Sequence, residues 1–77
     1  MYKLISYYRA PSSHYPANAR IIQVTPLVYA LYITHEVVGT VYYRKGSLPD
    51  LEKQLLSFIP YGHIHPVLWK KVQVNGN

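Results

Sequence analysis

Only one stretch of this chain carries a helical repeat, and it is short. Leu48, Leu51, Leu55 and Phe58 recur at spacings of three and four, which lines them along one side of a helix. The run Gly46-Ser47-Leu48-Pro49-Asp50 supplies a start signal, with Ser47 as N-cap and an acid three residues on, in the place a capping box uses. Pro49 falls in the first turn, where a missing N–H costs nothing, and Asp50 and Glu52 sit at the positive end of the helix dipole. Pro60 stops it. The pattern predicts a helix over 48–58 and no other.

The remaining apolar runs are strand-like. Residues 2–9, 20–25, 27–34, 37–44 and 67–74 are rich in β-branched and aromatic types. Pro11 and Pro16 bracket a polar loop, Pro26 separates the second strand from the third, and Thr34-His35-Glu36 breaks the third from the fourth, predicting a hairpin without an Asn-Gly turn. The run 27–34 is the most apolar and belongs inside the sheet. The fold class is therefore α+β: a small antiparallel or mixed β-sheet of about five strands, in the order β-β-β-β-α-β, with one α-helix packed on one face. So short a helix cannot cover both faces. Either the sheet curls on itself, or one face is left to water or to a partner.

Length and composition set outer bounds. The 77 residues make one small α+β domain, and a hydrophobic fraction of 49% argues against disorder. With no cysteine there is neither a disulfide framework nor a thiolate metal site, which points to the cytoplasm. Met1-Tyr2-Lys3-Leu4 lacks the charged and then apolar run of a signal peptide, so none is expected. The longest apolar run, Leu27 to Ile33, is far below the roughly 20 residues that span a bilayer, so no membrane partner is expected. The net charge is +5, and outside residues 47–59 seven basic residues face a single acid, Glu36. Such a surface attracts phosphate backbones or acidic proteins, and it also serves solubility.

Nine tyrosines are the oddest feature of the composition, and two predicted strands end in the same triplet, Tyr7-Tyr8-Arg9 and Tyr42-Tyr43-Arg44. Strict alternation along a strand assigns these side chains to faces. In the first strand Lys3, Ile5, Tyr7 and Arg9 oppose Tyr2, Leu4, Ser6 and Tyr8. In the fourth, Val38, Thr40, Tyr42 and Arg44 oppose the more apolar set Val37, Gly39, Val41 and Tyr43, which should meet the helix. Both strands then turn a Tyr and an Arg outward, and Lys70 or Lys71 of the last strand extends the patch. The expected contact residues are Lys3, Tyr7, Arg9, Tyr42, Arg44, Lys70 and Lys71, with further contacts from His14 and Tyr15 of the proline-bracketed loop and from Arg20, where that loop runs into the second strand. Rings beside guanidinium groups suit an acidic protein partner or a homodimer, which is the first expectation; the alternative is single-stranded nucleic acid, whose bases stack while cations hold phosphates.

Catalytic signatures are lacking, and the chain is expected not to be an enzyme. No Gly-rich phosphate loop or paired-carboxylate site occurs, and Ser12-Ser13-His14 has no orienting acid. No cofactor is expected. His63 and His65 have the spacing of a metal-ligand pair, but a third ligand would have to be His14 or His35, so a structural role is the simpler expectation. A metal-independent ribonuclease using His14, His63, His65 and Arg20 is the remote alternative, since no spacing brings these groups together.

Overall fold

A computed structural model describes residues 2–11 and 14–73. The elements follow the predicted order: β1 (Lys3–Arg9), β2 (Ala17–Thr25), β3 (Val28–His35), β4 (Gly39–Gly46), α1 (Leu48–Leu56) and β5 (Lys70–Val72). All strand pairs are antiparallel, and the five strands lie in the order β4-β3-β2-β1-β5. The chain meanders across the sheet from β1 to β4. Then α1 and the segment after it carry the chain back over one face, so that β5 closes the far edge beside β1. One face is thereby covered and the other is left open. Among the described residues no helix is long and apolar enough to cross a membrane.

Side chains do the work of turn dipeptides. Between β2 and β3, Thr25 Oγ1 accepts the N–H groups of Leu27 (3.3 Å) and Val28 (3.1 Å). Between β3 and β4, His35 Nδ1 accepts those of Val37 (3.1 Å) and Val38 (3.3 Å), and Gly39 follows at φ 95°, a left-handed conformation that suits glycine. An imidazole acceptor thus replaces the Asn-Gly signal that the sequence lacks.

Several details differ from expectation. β2 begins at Ala17, inside the predicted loop, because Ala17 and Ala19 are small enough to be buried between β1 and β3. β5 is only three residues long. Val67 and Trp69 ahead of it turn into the interior instead of pairing, and Val74 lies outside the described residues. The helix starts after Ser47 as predicted, yet the Ser47 side chain makes no capping bond. Pro49 at the second helical position has removed one of the two N–H groups such a cap addresses.

The core lies between α1 and the sheet. Ala19, Ile21, Leu31, Ile33, Leu51 and Leu55 are almost wholly buried, and Ile5, Tyr8, Tyr29, Tyr42, Leu48, Phe58 and Trp69 pack around them. While α1 rests on β3 and β4, Phe58 and Trp69 from the segment after it pack against the same cluster and Val67 is buried. Phe58 is held there by a bond from the Val67 N–H to its carbonyl (3.2 Å).

Candidate functional site

Two β-bulges decide which side chains reach the open face. In β1 the register against β2 shifts between Leu4 and Ser6, leaving Ile5 as the extra residue; in β4 it shifts against β3 between Thr40 and Tyr42, leaving Val41. A bulge adds one residue to a strand and so reverses the faces of everything beyond it relative to simple alternation. In β1 the reversal reaches the residues before the bulge. Leu4 shares the open face with Tyr7 and Arg9, opposite Ile22, Arg20 and Asn18, while Ile5, Ser6 and Tyr8 point to the core.

In β4 the reversal strikes the predicted site. Tyr42 pairs with the buried Ile33 and lies beneath the helix, where its hydroxyl donates to Gln54 Oε1 (2.6 Å) and its ring packs on Phe58 (5.4 Å between centroids). Arg44 pairs with the buried Leu31, so it too belongs to the helix side, at the rim of an edge strand. Lys71 falls opposite Tyr8 and Lys3 opposite Gln23, again on the helix side. Of the expected patch, Tyr7, Arg9 and Lys70 remain on the open face. Tyr42, Arg44, Lys71 and Lys3 do not.

Other residues fill their places. Cross-strand pairing sets the open face into rows, the middle one running Tyr43–Tyr32–Arg20–Tyr7–Val72 from one edge of the sheet to the other. On one side of it runs Thr40–Thr34–Asn18–Arg9–Lys70, and on the other Lys45–Ala30–Ile22–Leu4. Arg20, expected where the loop runs into the second strand, sits in the centre of the sheet with a tyrosine in the neighbouring strand on either side. The Tyr32 and Tyr43 rings lean on one another, 4.7 Å apart at 48°. Desolvation lifts the Tyr32 hydroxyl above the usual tyrosine range; the nearby Tyr43 and Tyr2 hydroxyls add to the rise and Arg20 opposes it. Tyr32 thus stays a neutral hydrogen-bond donor across the physiological range. Arg9, Arg20, Lys45 and Lys70 are all exposed. Among the described residues no carboxylate stands on this face, because Asp50 and Glu52 are on α1 and Glu36 is in the β3–β4 turn.

No protein-family model, characterised protein or solved structure matches this chain. The site has to be judged on its own geometry.

The histidines gather elsewhere. Tyr15 stands edge-on to His35 (5.1 Å) and His63 (5.5 Å) and tilts toward Phe58 (6.3 Å), which places it on the helix side. Burial raises the pKa of its hydroxyl. His14, Tyr15, His63, His65 and Leu68 line a cleft of about 530 Å³ there. Among the described residues no three of His, Asp and Glu are placed to hold a metal ion. Arg20 lies on the opposite face, so the grouping of His14, His63, His65 and Arg20 is divided between two surfaces.

Proposed function

We propose that this protein binds single-stranded nucleic acid on the open face of its sheet. One observation carries the reading: the acid-free row Tyr43–Tyr32–Arg20–Tyr7, bordered by Lys45, Arg9 and Lys70. Adjacent strands are roughly 4.8 Å apart, so the row extends about 14 Å from β4 to β1. Sheet platforms that bind single-stranded RNA stack two or three bases over comparable arrangements of rings. The tyrosines supply stacking surfaces that tolerate any base, and the cations on either side hold the phosphates as the strand crosses. A duplex suits the face poorly, because its bases are stacked on one another and offer no ring faces. A second copy suits it poorly too. Face-to-face pairing would bring Arg9, Arg20, Lys45 and Lys70 against the same residues with no carboxylate between them.

Fluorescence anisotropy with short labelled single strands of RNA and DNA tests this, with a duplex of the same sequence and polyglutamate as comparisons. Three or four phosphate contacts give a plot of log affinity against log salt with a slope of about −2 to −3. Polyglutamate binding as tightly as the oligonucleotides would assign the face to an acidic protein partner. Failure of every single strand to bind at about 50 mM salt would end the proposal.

A further inference from the structure

Arg9 and Lys70 stand directly opposite each other where β1 pairs with β5. Like charges in that position destabilise a strand pair unless an anion lies between them. Here the pair is at the corner of the open face, in the row that ends the sheet, and β5 has only three residues with which to withstand the repulsion. Both side chains, together with Ala10, Pro11 and Val72, line a pocket of about 310 Å³, near the lower limit of small-ligand sites. Among the described residues the backbone of the loop offers that pocket little. Pro11 has no N–H, and the Ala10 N–H is already spent on the Ala17 carbonyl (3.1 Å). Among the described residues, the groups that can hold an anion there are the two side chains, a planar guanidinium fork and a compact ammonium.

We infer that this pocket is a phosphomonoester site, in which Arg9 and Lys70 together bind one phosphate dianion. Elsewhere on the face Arg20 and Lys45 stand singly, each suited to the single charge of a backbone diester. The paired cations suit two charges on one group, which in a nucleic acid occurs only at a phosphorylated end. Tyr7 adjoins Arg9 along β1 at the next outward position, so a base stacked on Tyr7 has its terminal phosphate within reach of the pocket. As a terminal-phosphate site the proposal rests on the nucleic-acid reading of the sheet, whereas the phosphate chemistry of the pocket does not.

The test compares one single-stranded sequence with a 5′-phosphate, a 3′-phosphate or hydroxyls at both ends, alongside an NMR titration with inorganic phosphate. One of the phosphorylated strands should bind about tenfold tighter than the hydroxyl strand, and which one fixes the polarity. In the Arg9→Gln and Lys70→Gln double variant that ratio should collapse to about one. Inorganic phosphate should shift the Arg9 and Lys70 signals of the unmodified protein before those of Lys3 and Lys53. If the strands bind but all three do so equally, the site is overturned and the reading of the sheet stands. If no strand binds while phosphate still selects Arg9 and Lys70, the site stands as one for free phosphate and the reading of the sheet falls. Phosphate shifts spread evenly over all the lysines would overturn the site on their own.

Discussion

Arg20→Glu is expected to weaken single-stranded oligonucleotide binding by roughly 10- to 100-fold while leaving the fold intact. The estimate comes from losing one charge-assisted contact, about 1.5–3 kcal/mol, at 1.4 kcal/mol per factor of ten. Arg20 is the central cation of the face, with Tyr32 and Tyr7 opposite it on either side, so a carboxylate there repels phosphates along the whole row. Being exposed, it contributes little to stability, and the change in unfolding free energy should stay within about 0.5 kcal/mol. Tyr42→Phe is the informative control. It removes the bond to Gln54 beneath the helix and touches nothing on the open face, so binding should persist. Anisotropy and thermal melts of both variants make the check. Retained affinity in Arg20→Glu would count against the site.

Leu31→Ala should come close to unfolding the protein. Leu31 is fully buried, pairs with Ile21 and Arg44 across the sheet, and lies in the cluster that α1 covers with Leu51 and Leu55. Truncating such a residue costs about 2–5 kcal/mol, including the cavity left behind. A chain of this length has only roughly 4–12 kcal/mol to lose. The melting temperature should therefore fall by roughly 10–30 °C, if a cooperative transition survives. Leu27→Ala, in the β2–β3 turn and 86% exposed, should change it hardly at all. Equal effects at the two leucines would mean that the core has been misplaced.

The order of the elements was legible because prolines and short polar breaks divide the chain into runs of distinct periodicity, and one of those runs alone repeats at helical spacing. The faces were legible only in part. Tyr32 alternates with the buried Leu31 and Ile33, so its outward position follows from the pattern of residues 28–34, but the apolar character of that run disguised it. Tyr42 and Arg44 were misassigned because of the bulge at Val41, and Leu4 because of the one at Ile5. Both bulged residues are ordinary β-branched strand formers, with none of the glycine signals that sometimes mark such sites. Arg20 reads as the start of its strand, beside the loop, whereas the strand begins three residues earlier, at Ala17, directly after a proline. The meeting of Tyr15 with His35 and His63 depends on how residues 58–66 return across the helix side, which no spacing in the chain encodes.

The most direct measurement of the central claim is a chemical-shift titration of the labelled protein with a short single strand. The account predicts that the largest shifts fall on Tyr7, Arg20, Tyr32 and Tyr43, with Tyr42 and the helix residues Leu51 and Leu55 quiet. Shifts concentrated instead around Tyr15, His63 and His65, or spread without regard to face, would contradict it.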